Sequence, residues 1–91
     1  MKKYSVWIYV RSDGGDTPVV KAFPTKFAVK NAVKLAFEEY MEILSPDEKE
    51  KAIEQFKEKR EEDFILHLPD GKTVHCYMVK STYEYYSMSF R

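Results

Sequence analysis

ILHLPDGKTVHCYM, Ile65 to Met78, is the stretch on which the fold turns. Inside it, LPDG (Leu68 to Gly71) places Pro at the second position of a turn and Gly at the fourth. That composition suits a type I turn followed by a residue at positive φ. The sequence therefore predicts a three-residue hairpin loop closed by Leu68 and Lys72. Counting outward pairs His67 with Thr73, Leu66 with Val74, Ile65 with His75, Phe64 with Cys76 and Asp63 with Tyr77. One face then reads Phe64, Leu66, Leu68, Val74, Cys76, Met78. The other reads Asp63, Ile65, His67, Thr73, His75, Tyr77. A two-residue loop at Asp70-Gly71 slips the pairing by one and mixes apolar and polar residues on both faces. A buried face selects the first register.

The elements on either side follow from periodicity. YSVWIYVR (4–11) alternates and is rich in β-formers, which predicts a strand. Tyr4, Val6, Ile8 and Val10 share one of its faces, and Ser5, Trp7, Tyr9 and Arg11 the other. SDGGD (12–16) reads as a loop, and PVVKAF (18–23) as a second strand that Pro18 opens or edges. Thr25 is placed to cap a helix whose apolar residues recur at Val29, Ala32, Val33, Ala36, Phe37, Tyr40, Met41 and Leu44. Phe27, Leu35 and Ile43 are expected to widen that buried stripe. Ser45, Pro46 and Glu48 carry the signature of a capping box, so a second helix starts there and runs to about Glu62. It is mostly charged, with Ala52, Ile53 and Phe56 as its apolar residues. TYEYYSMSF (82–90) alternates again and predicts a last strand, with Tyr86, Met88 and Phe90 toward the helices and Tyr83, Tyr85, Ser87 and Ser89 away.

The order is ββααβββ, one small α+β domain over residues 1–91. Its expected architecture is a two-layer sandwich, a mainly antiparallel sheet with a helical hairpin on one face. Assigning the strand faces this way leaves Trp7, Tyr9, Ile65, His67, His75, Tyr77, Tyr83 and Tyr85 on the uncovered side. Such a patch is larger than a soluble monomer usually exposes.

Composition narrows the function classes. Fifteen basic and 15 acidic side chains cancel, so no whole-molecule field draws the chain to nucleic acid or to a membrane. One Cys forms no internal disulfide. No apolar run follows Lys2-Lys3, so no signal peptide is expected, and no stretch has the length of a membrane helix. The expected location is cytoplasmic. Seven Tyr are the compositional excess, and Tyr suits half-exposed surfaces.

Candidate chemistry reduces to a few pairs. His67 and His75 are diagonal neighbours on one face, but a zinc site needs a third protein ligand and Asp63 lies at the far end, so no metal is expected. His75 and Cys76 are adjacent on a strand and point to opposite faces, which precludes a dyad. Cys76 reads as a small buried hydrophobe. DGKT (70–73) resembles the tail of a phosphate-binding loop, yet residue 66 is Leu where the leading Gly belongs, and no helix follows. The Asp13-Gly15-Asp16 loop lacks calcium-ligand spacing. No cofactor and no catalytic residue are expected, and the chain reads as a non-enzymatic protein.

YSVWIYVRSDGG, AFPT and a following helix with EE resemble the HicB-type antitoxin domain in their order of strand, Gly turn, strand and helix. The resemblance covers residues 4 to 44. The Gly-Cys-rich segment that precedes the helix in that family is absent, so no membership is assigned. The function expected from the sequence is protein binding, to another protein or to a second copy, of inhibitor or adaptor type. Its expected partner-binding residues are Trp7, Tyr9, Arg11, His75, Tyr77, Tyr83 and Tyr85. Single-stranded nucleic acid stacking on the same aromatic face is the alternative.

Overall fold

The computed structural model describes the backbone of residues 2–15 and 17–85 and the side chains of residues 5–15 and 17–82. The elements run β1 (Lys2–Ser12), β2 (Val19–Phe23), α1 (Lys26–Met41), α2 (Pro46–Glu58), β3 (Asp63–His67) and β4 (Thr73–Tyr85). The strands form one antiparallel sheet in the order β2-β1-β4-β3. β2 and β3 are its two edges. The excursion between them carries α1 and α2 across one face, and the α+β two-layer sandwich expected from the sequence is what forms.

The decisive hairpin takes the predicted register. β3 pairs with β4 as Asp63↔Tyr77, Phe64↔Cys76, Ile65↔His75, Leu66↔Val74 and His67↔Thr73. The Gly71 amide donates to the Leu68 carbonyl at 3.0 Å, which closes the type I turn, and the Leu68 amide donates to the Lys72 carbonyl at 2.8 Å. Gly71 sits at φ 89°, the left-handed position the loop demands. Both helix starts also form as read. Thr25 accepts from the Ala28 amide at 3.1 Å, and Ser45 and Glu48 close a reciprocal capping box.

One expectation is corrected. Residues 82–85 are not a separate strand; they continue β4 to Tyr85 and pair with the start of β1, Thr82 opposite Ser5 and Tyr85 opposite Lys2. Lys80-Ser81 contains no Gly, Pro, Asn or Asp to reverse the chain, so the strand runs on. Among the described residues the order is therefore ββααββ. Residues 86–90 of the expected strand lie outside the described residues.

The core lies between sheet and helices. α1 buries Val29, Val33, Ala36 and Phe37, and α2 buries Ala52 and Phe56. They meet Phe64, Leu66, Val74 and Cys76 from the hairpin. Phe37 and Phe56 stack at 4.0 Å between ring centroids, and both meet the edge of Phe64, at 5.3 and 5.9 Å. This aromatic cluster ties the charged α2 to the rest of the fold. Phe27, Leu35 and Ile43 do not widen the buried stripe; they are 82%, 55% and 52% exposed. α1 rests on the sheet along a narrow seam, and α2 reaches only one side of it.

The end of α2 carries local strain. The Glu61 amide donates to the Phe56 carbonyl and the Arg60 amide to the Lys57 carbonyl, the bond pair of a Schellman cap. Arg60, where such a cap favours Gly, sits at φ 60°. A left-handed L-residue costs roughly 1–2 kcal/mol, partly offset in a Gly variant by the greater freedom of its unfolded chain. Arg60→Gly is expected to raise stability by about 0.5–1 kcal/mol, read as an upward shift of the urea midpoint.

Candidate functional site

Which side of β1 meets the helices decides which surface is free. β1 pairs with β4 so that Tyr9 lies opposite Met78, Arg11 opposite Cys76 and Trp7 opposite Lys80. Residues directly opposite in an antiparallel pair share a face. Cys76 and Met78 belong to the core side, so Trp7, Tyr9 and Arg11 are carried there too. Tyr9 is only 4% exposed, and Trp7 packs against the core.

This corrects the expected exposed face. Of its members, Trp7, Tyr9 and Arg11 lie beneath the helices. The reason is fit: α1 sets the small Ala32 and Ala36 over this region, and they line a cleft of about 200 Å³ with Tyr9, Arg11, Lys21, Phe23 and Glu39. Small helix residues over large strand residues let the rings be covered. Tyr9 meets Phe23 edge-on at 6.4 Å. Trp7 has the Lys26 and Lys80 ammonium groups each 5.7 Å from its ring centroid. His75 and Tyr77 do lie on the open side, their rings 4.8 Å apart. Tyr83 pairs with Tyr4 and Tyr85 with Lys2 in the backbone register, and their side chains lie outside the described set.

Among the residues whose side chains are described, the open face is consequently more aliphatic than aromatic. β1 contributes Val6, Ile8, Val10 and Ser12 to it, β2 contributes Val20 and Ala22, β4 contributes Thr73, His75, Tyr77, Val79 and Ser81, and β3 contributes Asp63, Ile65 and His67. The register aligns them in rows: Val20, Val10, Tyr77, Asp63, and next to it Ala22, Ile8, Val79. Val20, Ile65 and Val79 are 59%, 46% and 46% exposed. Among the residues whose side chains are described, Asp63 at the β3 margin is the one Asp, Glu, Lys or Arg on this face; its Oδ1 lies 3.6 Å from the Lys59 ammonium. His67 Nδ1 lies 3.2 Å from the Thr73 hydroxyl at the far end.

The remaining reactive groups lie on the covered side. The Cys76 thiol is fully buried and burial pushes it up from 9.0 to about 11, opposed by Tyr9 and Arg11. Burial likewise pushes the Tyr9 hydroxyl up from 10.0 to about 12, with Cys76 adding to the rise and Arg11 opposing it. The Arg11 guanidinium reaches the Tyr9 hydroxyl at 3.4 Å, while its Nε is buried without a partner among the described residues. A protonated, enclosed thiol is a packing group rather than a nucleophile at neutral pH. Both shifts have the same sign for stability. On unfolding the two groups revert toward 9.0 and 10.0, so in alkali the unfolded chain binds fewer protons than the folded one. The stability these two groups contribute is expected to be constant below about pH 9 and to fall progressively from there toward about pH 12. Urea midpoints taken across that range check this. Cys76→Ala is expected to remove the part of the fall that starts nearest pH 9.

Larger clefts flank α2. One of about 340 Å³ is lined by Gln55, Phe56, Glu58, Lys59, Asp63 and Ile65. Among the described residues no group of three or more His, Cys, Asp or Glu is gathered to hold a metal ion. Among them, too, no helix is long and apolar enough to cross a membrane.

Sequence reasoning missed Val6, Ile8, Val10, Val20 and Val79 as surface residues. The hydrophobic pattern of β1 is apolar on both faces, so periodicity alone does not orient it. The usable signal was the pair of small residues, Ala32 and Ala36, on the helix that had to cover it. Comparison of the chain with family models, curated proteins and solved structures finds no match.

Proposed function

We propose that this chain is a non-enzymatic protein-binding domain, of adaptor or inhibitor type, that works through the helix-free face of its sheet. One observation carries the reading: an aliphatic band of Val20, Ala22, Val10, Ile8 and Val79 crosses β2, β1 and β4 on the helix-free side, with Val20 and Val79 exposed and Val10 and Ile8 half-buried, and Tyr77 and His75 separate it from the exposed Ile65 on β3. Exposed apolar patches of this extent mark contact surfaces in soluble proteins. The band is nearly free of charge at its centre, as interface cores are, and Tyr77 supplies an aromatic anchor with a polar tip beside it. His75, His67 and Asp63 form the polar rim.

The nucleic-acid alternative loses support from the same placement. It called for Trp7 and Tyr9 as stacking rings, and both lie under the helices. It also called for basic residues among the rings; of those nearby, Arg11 and Lys80 belong to the covered side in the register and Lys72 to the hairpin loop.

Photo-crosslinking tests the reading. A photoreactive residue at Val79 or Ile65 is expected to yield protein adducts in a cell extract, and one at Glu54 on the outer side of α2 is not. Adducts from Glu54 alone, or from none of the three, would overturn the proposal. Adducts destroyed by nuclease would favour the nucleic-acid reading instead.

A further inference from the structure

We infer that two copies of this chain join edge to edge through β4, residues 79–85 of one running antiparallel to the same residues of the other, so that the two sheets become one.

The flanking strands cover only part of the central pair. β2 pairs with β1 from Trp7 to Arg11, and β3 pairs with β4 from Thr73 to Tyr77. β1 and β4 continue past them, paired from Val6↔Ser81 to Lys2↔Tyr85. Among the described residues, that stretch is a two-stranded ribbon with no strand on either outer edge. A two-stranded ribbon is marginal in water, and an open edge is a template for strand addition.

Alternation along β4 says which backbone groups the open edge presents. The Leu68–Lys72 closure directs the amides and carbonyls of even-numbered β4 residues toward β3 and those of odd-numbered ones toward β1. Past Tyr77, the backbone groups of Met78, Lys80, Thr82 and Glu84 therefore point to the side that β3 no longer occupies. Two such edges meeting about a two-fold axis must set even residues opposite even ones. Centred on Thr82, the pairing sets Lys80 opposite Glu84 of the second copy, Glu84 opposite its Lys80, Thr82 opposite Thr82 and Val79 opposite Tyr85. Opposite charges, Thr pairs and β-branched–aromatic pairs are the favourable cross-strand combinations. Centring on Lys80 sets Lys opposite Lys. Centring on Ser81 sets Met78 opposite Glu84, and centring on Tyr83 sets Thr82 opposite Glu84, so neither matches the charges. Charge complementarity thus selects the second copy as the occupant and fixes its register.

The surroundings leave room for it. Lys80 and Thr82 are exposed. β3 stops opposite Tyr77, and the register brings Tyr85 of the second copy only as far as Val79. The open edge of β1 is the poorer site, because self-pairing there gathers Lys2 and Lys3 of both copies, and lysines on an edge oppose strand addition. A two-fold axis normal to the sheet keeps both helical layers on one side, so the two helix-free faces open together on the other.

Sedimentation equilibrium over a wide concentration range tests the inference. The wild-type chain is expected to weigh as a dimer when concentrated. Lys80→Glu alone, or Glu84→Lys alone, sets like charges opposite each other twice, and each is expected to raise the dissociation constant at least about 10-fold. The double variant restores the match in this register alone and is expected to return the wild-type value. Thr82→Pro removes an outward amide at the axis and no ladder bond to β1, so it is expected to keep the wild-type circular dichroism spectrum and to abolish the dimer. A dimer weakened in the single variants and recovered in the double supports the inference. A wild-type monomer at every concentration, a mass that grows beyond the dimer, or a dimer indifferent to the single substitutions overturns it. A folded double variant that fails to recover overturns it as well. Photo-crosslinking at Ile65, away from this edge, tests the helix-free face separately.

Discussion

Phe56→Ala is expected to cost about 3–5 kcal/mol, the range for removing a buried aromatic ring. Phe56 is the residue through which α2 joins the fold. It stacks on Phe37 at 4.0 Å and meets the edge of Phe64 at 5.9 Å, and it is 3% exposed. Apart from Ala52, the buried set of α2 contains nothing else, so the remainder of this charged helix has no anchor. A domain of this size holds roughly 5–14 kcal/mol in all, and each kcal/mol lost lowers its melting temperature by about 4–8 °C. The variant is expected to melt at least about 12 °C below wild type. Loss of α2 alone would appear as a first, separate transition in far-ultraviolet circular dichroism.

Tyr9→Ala is expected to be nearly as severe, at about 3 kcal/mol or more, and it distinguishes the two sides of β1. The truncation empties the ring's place beside Phe23 and removes the hydroxyl that the Arg11 guanidinium contacts. A partly covered cation then keeps its desolvation without that partner. Val20→Ala, on the open face and 59% exposed, is expected to change stability by no more than about 0.5 kcal/mol. Chemical denaturation of the two variants side by side measures the contrast. Were Tyr9 on the free face, as the sequence pattern alone suggests, the two substitutions would cost about the same.

Local chemistry made much of the fold legible. LPDG fixed the turn, and the turn fixed every pair of the β3–β4 hairpin. Ser45, Pro46 and Glu48 marked the start of α2, and Thr25 marked that of α1. These features depend on residues within a few positions of each other. The face of β1 does not. It depends on whether Tyr9 or Val10 stands opposite Met78, a pairing across most of the chain, and a slip of one residue reverses the strand. VWIYV is apolar on both faces, so nothing local resolves that choice. The same long-range pairing extends β4 past Lys80-Ser81, where alternation alone suggested a new strand. Of the expected site residues, His75 and Tyr77 belong to the hairpin and were placed correctly on the uncovered side. Trp7, Tyr9 and Arg11 belong to β1 and were not. A more aromatic open face was therefore expected than the described side chains make.

The most direct measurement is the rate at which a maleimide labels a thiol at Val10 against one at Tyr9, neighbours on β1 that face opposite ways. Each would be introduced separately as Val10→Cys or Tyr9→Cys, with Cys76→Ala to remove the native thiol. Labelling follows exposure and local opening. The open-face account predicts that Val10→Cys reacts at least about ten-fold faster than Tyr9→Cys in the folded protein. Faster labelling at Tyr9→Cys would contradict it, because the helices would then cover the aliphatic side and the aromatic face would be the free one.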